Sequence, residues 1–420
     1  MKILEELEIV KKNLSAILFI ALVIVACNQE NEKVNQQLII TADTLEGEFF
    51  QQDERTVIKS PNTLQMENYF VWGGSTVKGK DGKYHMLYSV WECGEKWAPF
   101  QDGWLLNSKI AYSVSDYPDK EFKFQKIILQ GRLFDGDSTA WDAQSVHNPH
   151  IKKFNEKYYL YYTGSSDPGE QPKGSSAENL SKRNRIQQNQ KLGVIEFDSF
   201  QDLVNGNFQR PAKPLLIPRT RVKADNVLNP SPPGTTPKPD NLIVVNPSVV
   251  RRPIDGKYLL YFKGNLWDPH WRGVHGVAIG NTPTGPFEAM DEFVFDIRLA
   301  DDKIASAEDP YVWFHKKHNR FYAIFKDFSG KITGTKPGLA ILVSEDGINW
   351  QKPDISLFME KELLFSKGNS LNVAHLERPQ LLIGADGFPK VLYSACSVER
   401  AGGKKDGSTF NVQIPLISKR

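Results

Sequence analysis

The stretch NPSVVRRPIDGKYLLYFKG (Asn246–Gly264) opens on a polar residue and a proline, runs through a short apolar segment, turns on Asp-Gly and returns as an aromatic-rich strand. Strand, tight polar turn, strand is a β-hairpin signature. The layout recurs in NPHIKKFNEKYYLYYTG (Asn148–Gly164), DPYVWFHKKHNRFYAIFKD (Asp309–Asp327) and RPQLLIGADGFPKVLYSACS (Arg378–Ser397). It recurs once more in GGSTVKGKDGKYHMLYS (Gly73–Ser89), where Gly74 takes the proline's place. Each hairpin is followed by a third strand: KIAYSVS from Lys109, KLGVIEF from Lys191, VHGVAIG from Val274, GLAILVS from Gly338 and FNVQIPL from Phe410. Three of these lead to a further turn and an aromatic residue, in DYPDKEFKF, NTPTGPF and EDGINW. Five similar small sheets in tandem predict an all-β fold, a five-bladed β-propeller whose blades are three- to four-stranded antiparallel sheets.

The proline has a physical place in such a unit. At the start of a strand its missing N–H costs little. The residue before it is expected to be extended and to point into the central channel. Gly73, Asn148, Asn246, Asp309 and Arg378 should therefore ring one cavity. Two polar or Pro/Gly-rich stretches, Ser165–Gln190 and Pro218–Asn241, belong in loops that wall that cavity, the first with a short helix around Ala177 to Asn189.

At the N-terminus, Lys11 and Lys12 precede an apolar run from Leu14 to Ala26, and Ile24-Val25-Ala26 leads to Cys27. The run is short for a membrane span and has the flanks of an export signal. Residues 1–27 read as a lipoprotein signal peptide whose lipobox-like end marks Cys27 for lipidation. Residues 28–60 read as a polar tether and N-terminal segment, and 61–420 as the propeller. The protein is then expected to be exported and held to the cell envelope by lipid, facing the periplasm or the outside. Cys93 and Cys396 lie far apart, without zinc-site spacing, and leave a disulfide or two buried thiols open. A net charge of +2 argues against a nucleic-acid partner held by a broad basic surface. The membrane contact expected is the lipid anchor alone.

The Asn-Pro and Asp-Pro strand starts, the TPTGPF phrase (Thr282–Phe287) and SEDGINW (Ser344–Trp350) resemble the glycoside hydrolase family 43 superfamily, five-bladed propellers that include families 32, 62, 117 and 130. The resemblance covers residues 61 to 420. It implies three carboxylates, of which this chain keeps one: Glu308, in Glu308-Asp309-Pro310, matches the general acid. Gly73 stands where the family has its base, and Asn246 where it has an Asp that tunes the acid. As an acid, Glu308 is expected to be partly desolvated with a raised pKa. The missing base leaves Asp309, Glu377, Glu92 and Asp142 as substitutes. The resemblance also implies a divalent cation, calcium or similar, in the channel near a blade-five histidine, here His375.

The remaining polar residues near the expected mouth are His147, beside Asn148, and those of KGNLWDPHWRGVHG (Lys263–Gly276). His147 joins Glu308, Asp309 and Glu377 as a candidate catalytic group. Arg272, Arg378, Asn148 and Asn246 are candidates to bind substrate, the arginines because they grip carboxylate or sulfate bidentately. Trp72, Trp267 and Trp271 are candidate sugar-stacking surfaces. The function expected is glycosidase-like cleavage of plant or algal cell-wall oligosaccharides at a chain end. An anionic substrate among His, Arg and Asn opens an alternative, elimination from a uronate by a lyase or dehydratase. A glycan-binding surface lipoprotein without activity is the third reading.

Overall fold

The apolar run YYLYY (Tyr158–Tyr162) does not alternate with polar residues, and the fold explains why. Tyr158, Leu160 and Tyr162 pack into the core shared with blade one, and Tyr159 and Tyr161 into the core shared with blade three. In blade three, Tyr258, Leu260 and Phe262 face blade two while Leu259 and Tyr261 face blade four. A strand covered on both faces must be apolar at every position. The cores therefore lie between blades, which is what holds five thin sheets in a ring.

A computed structural model describes residues 38–52, 55–399 and 409–419. The signal peptide and Cys27 lie outside the described residues. Blade one comprises Tyr69–Lys78, Tyr84–Glu92, Lys109–Ser115 and Lys123–Leu129; blade two comprises Ser145–Phe154, Lys157–Ser165 and Lys191–Phe197. Blade three is Val245–Arg251, Tyr258–Asp268, His270–Gly280 and Phe287–Ala289, and blade four is Ala307–His315, Arg320–Asp327, Gly338–Ser344 and Leu357–Glu360. Blade five is His375–Ile383, Pro389–Ser397 and Thr409–Lys419, completed by Ile39–Ala42 as its outermost strand. The five-bladed β-propeller expected from the repeats is the fold. Part of the segment read as a tether and N-terminal extension is thus blade, and it covers the edge of blade five.

The innermost strands depart from the expected geometry. Gly73, Asn148, Asn246, Asp309 and Arg378 are left-handed, with φ of 54°, 52°, 59°, 63° and 53°. In every blade the pairing of the first two strands slips at that residue. The residue before the proline is a β-bulge, not an extended link. Gly, Asn and Asp reach left-handed φ readily, and arginine rarely does.

Of the three α-helices among the described residues, two lie beside the channel, and the third is Phe200–Asn205. α1, Phe100–Leu106, joins strands two and three of blade one, and α2, Lys182–Gln187, lies in the blade-two insertion. The latter falls within the helix expected there and is shorter. Arg183 of α2 binds Asp102 of α1 at 2.9 Å. Cys93 and Cys396 are buried thiols, not a disulfide.

Candidate active site

The bulge decides what enters the channel. An extended strand turns successive residues to opposite sides, whereas a bulge turns two neighbours the same way. His147 with Asn148, Val245 with Asn246, Glu308 with Asp309, and Glu377 with Arg378 all line one cavity of about 370 Å³, and Trp72 joins them. His147 and Asn148, which an extended strand would turn to opposite sides, therefore share a face. The α1 residues Phe100, Gln101 and Trp104 form one wall, and Gln187, Gln190 and Ile243 of the two insertions another.

The left-handed residues are joined edge to edge around the channel. Asn148 Nδ2 donates to Asn246 Oδ1 at 2.5 Å, and Asn246 Nδ2 donates to Asp309 Oδ1 at 2.6 Å. The Arg378 backbone N–H donates to Asp309 Oδ2 at 3.0 Å, and its guanidinium to Oδ1 at 3.3 Å. The Arg378 side chain then lies over Gly73, 3.4 Å from where a Cβ would be. Two residues along each strand, a second layer closes the floor. Ser75 Oγ donates to Gln380 Oε1 at 3.1 Å, and His150 Nδ1 bonds the same oxygen at 2.8 Å. His150 Nε2 accepts the Val249 N–H at 2.9 Å, which fixes the tautomer and makes this histidine structural.

The chemistry sits on one side of this ring, in a chain of alternating charge. Lys263 Nζ contacts Glu308 Oε1 at 2.5 Å, Lys326 Nζ lies 3.8 Å from Glu308 Oε2, and Lys326 Nζ contacts Glu377 Oε1 at 2.5 Å. Burial pushes the Glu308 carboxyl up, but the two ammoniums overcome it and hold it at about 2. The raised pKa expected of Glu308 is thus reversed, because its partners are cations. For Glu377 the order is the opposite: burial raises its pKa and outweighs Lys326. Burial, and then Glu308, push Asp309 up to about 6. His147 is held neutral, its pKa lowered to about 3 by burial and then by Arg378, and its ring meets Trp104 edge-on at 5.2 Å.

Several candidates lie elsewhere. Arg272 donates to the Ile304 carbonyl at 3.1 Å and is outside the cavity. Trp267 and Trp271 face each other at 4.8 Å on the tip of the blade-three hairpin, with the Lys223 ammonium over both rings. Of the substitute bases, Glu92 is tied to Asn107 and Lys109. Asp142 is buried between Arg132, Arg210 and Tyr162. Neither lines the cavity. His375 does, sharing a 2.6 Å hydrogen bond with Ser397 and packing against Trp72. Among the described residues no three His, Cys, Asp or Glu side chains gather as metal ligands. The residues around His375 do not fit a cation held by side chains, and no chemistry is assigned to one.

The residue that links both glutamates, Lys326, had a visible signal. Phe262-Lys263 and Phe325-Lys326 occupy the same place in repeats three and four. These lysines stand opposite Val245 and Glu308, where Ser89 and Thr163 stand opposite Trp72 and His147 in blades one and two. From that register position Ser89 and Thr163 accept the backbone N–H of the next blade's bulge, Asn148 at 2.9 Å and Asn246 at 3.4 Å. Lysine is longer, and reaches the next blade's carboxylate instead. The wall from α1 had a weaker signal, Phe100, Trp104 and Leu105 at helical spacing behind Pro99.

No family model and no curated protein matches the chain. Solved structures do. Zg3597, a family 117 glycoside hydrolase produced by the marine bacterium Zobellia galactanivorans, is 15% identical, with a TM-score of 0.52 and coverage of 92% of this chain and 91% of that one. A thermostable family-43 glycoside hydrolase is 11% identical, with a TM-score of 0.51 over 83% and 89% of the two chains. Another glycoside hydrolase is 10% identical, with a TM-score of 0.52 over 84% and 89%. At these identities the likeness is one of architecture, and the expected resemblance to the family 43 and 117 propellers is borne out as a shared fold.

Proposed function

We propose that this protein is a glycoside hydrolase that removes a terminal neutral sugar from plant or algal cell-wall oligosaccharides, with Glu377 as proton donor and Glu308 as the ionised carboxylate. One observation carries the reading: two glutamates share the Lys326 ammonium, yet their surroundings push their pKa values apart. Pairs of that kind divide the acid and anionic roles of a carboxylate mechanism. The shared ammonium bounds their facing oxygens to about 6 Å. That ceiling lies just below the roughly 6.5–9.5 Å that leaves room for a water in inverting enzymes, and the roughly 5–5.5 Å of retaining ones falls within it. Glu308 then attacks the anomeric carbon while Glu377 protonates the leaving oxygen. Glu377, now a carboxylate, takes a proton from the water that releases the sugar. Asp309 is 3% exposed, and its oxygens are engaged by Asn246 and Arg378. Its part is to hold the ring.

A cavity of this size with a sealed floor suits a chain end. The arginines read as an anion clamp are engaged, Arg378 by Asp309 and Arg272 by a carbonyl. The three cations lining the cavity, Lys263, Lys326 and Arg378, meet three carboxylates, Glu308, Asp309 and Glu377. Each of these cations is already held by a carboxylate of the protein, which supports a neutral sugar over a uronate. The fold shared with glycoside hydrolases supports the reaction class, and the lipobox-like sequence before Cys27 supports a location on the cell envelope. The test is a panel of neutral and uronate oligosaccharides, with products read by mass spectrometry, ultraviolet absorbance and the anomer first released. Gain of one water across the cleaved bond, with retention, is expected for neutral substrates. An unsaturated, absorbing product would assign elimination instead, and binding without any product would assign a glycan-binding protein.

A further inference from the structure

A second cavity of about 300 Å³ lies between blades four and five, and it shares a wall with the first. Lys326, His375 and Glu377 line both, and on the far side the second adds Phe328, Lys361 and Ala374. A proton donor must sit within hydrogen-bond reach of the atom it protonates, here the glycosidic oxygen. Glu377 stands on the partition. A bond protonated by Glu377 would then have one sugar in the first cavity and the rest of the chain toward the second.

We propose that the second cavity is the leaving-group subsite, which holds the next one or two sugar residues of the oligosaccharide against Phe328, with Lys326 and Lys361 donating to their hydroxyls. The proposal rests on the assignment of Glu377 as proton donor. Phe328 is built for such a contact. It is 40% exposed, a large apolar surface left to water. It is also fixed. The loop that carries it is tied to the Asp327 carboxylate by four backbone N–H groups, those of Ser329, Gly330, Ile332 and Thr333, at 2.9–3.2 Å. The Lys326 ammonium sits 4.1 Å from the centre of its ring. An aromatic face held rigid beforehand loses little entropy on binding. Lys361 is anchored on the opposite wall by the Ala374 carbonyl at 3.0 Å. The rival platform, Trp267 and Trp271, stands on blade three, where Lys263 leads to Glu308 rather than to the proton donor. Trp271 is 48% exposed, so it is a fair competitor.

The experiment compares kcat/KM for a 4-nitrophenyl glycoside and for a trisaccharide of the same sugar, in Phe328→Ala, Lys361→Met and Trp271→Ala. The nitrophenyl group needs little protonation and does not fill a sugar subsite. With Phe328→Ala the ratio of trisaccharide to nitrophenyl activity should fall about tenfold, and with Lys361→Met severalfold, through KM. Trp271→Ala should leave the ratio unchanged. A selective loss in Trp271→Ala, or an unchanged ratio in both of the other variants, overturns the proposal. If Glu377→Gln hydrolyses the trisaccharide as well as the unaltered protein does, the underlying assignment of the acid has failed, and the two failures are distinguishable.

Discussion

Lys326→Met removes the one ammonium that touches both proposed catalytic carboxylates. Lys326 lies 3.8 Å from Glu308 and 2.5 Å from Glu377. Two unit charges about 4 Å apart interact by about 4 kcal/mol at an effective dielectric of about 20. At about 1.4 kcal/mol per pKa unit, that is an upper bound of about 3 units on Glu308, and the same expression allows about 5 units on the nearer Glu377. Losing a neighbouring cation disfavours the ionised form, so both pKa values rise. Glu308 keeps Lys263, and so still ionises in the acidic range. The acidic limb of kcat/KM reports Glu308 losing its proton, and the basic limb reports Glu377 losing its own. Both should move to higher pH, by about 1–2 units once solvent relaxes around the site, and Lys326→Arg should restore them. Stability follows the same sign. The Glu377 pKa in the folded state, already raised, climbs further above its unfolded value of about 4.3. The folded state then binds more protons, and the variant loses stability as pH rises through that window. The assays are pH–rate profiles from pH 2 to 9 and thermal unfolding over the same range. A profile that drops in height with both limbs fixed would refute the shared control of the two carboxylates.

Other outcomes follow from the same contacts. Glu377→Gln should lower oligosaccharide hydrolysis by about 10²–10⁴-fold and 4-nitrophenyl glycoside hydrolysis far less, read as the difference in kcat/KM between the substrates. Asp309→Asn leaves the buried Arg378 guanidinium without its carboxylate, and should cost about 3–5 kcal/mol in denaturant unfolding. Deleting the chain up to Ala42 uncovers the edge of Thr409–Lys419, and should lower the melting temperature and promote self-association visible by light scattering. His147→Gln should leave both pH limbs where they are, because this histidine is held neutral far below the working range, and a shift of the basic limb would contradict its neutrality.

The fold was legible because the repeat is written in residue types with local consequences. Polar-Pro starts, Asp-Gly or Asn-rich turns and aromatic returns specify a hairpin five times over, whereas the covering of the aromatic strands on both faces emerges only with the blades assembled. The candidate site was legible by position, since the residue before each proline does ring one cavity. What failed was the backbone state at that residue. A proline disfavours the helical region for its predecessor and makes extended the natural expectation. In this ring the left-handed state is instead stabilised from outside. Ser89 and Thr163 accept the N–H of Asn148 and Asn246, and Asp309 accepts that of Arg378. Those partners come from neighbouring repeats, which no reading of one repeat alone can supply.

That one difference in backbone state also bears on the proposed chemistry. With extended strands, Glu308 and Asp309 point to opposite sides, and a single carboxylate per blade has to serve. With bulges, each blade presents two residues, and they divide the labour. Of the second residues, Asn148, Asn246, Asp309 and Arg378 make a hydrogen-bonded arc that fixes the channel, with Gly73 beneath the Arg378 side chain. The first residues, Trp72, His147, Val245, Glu308 and Glu377, are left to meet a ligand. The positions where the resemblance led one to look for a base and a tuning Asp, Gly73 and Asn246, belong to the structural ring. Their lost carboxylates need not be replaced in kind. The proposed ionised and protonated groups lie one residue earlier, on blades four and five, and the long side chains of Lys263 and Lys326 meet them from the adjoining strands. An Asp reintroduced at Gly73 is therefore expected to meet the Arg378 side chain and disturb the ring, rather than to raise activity.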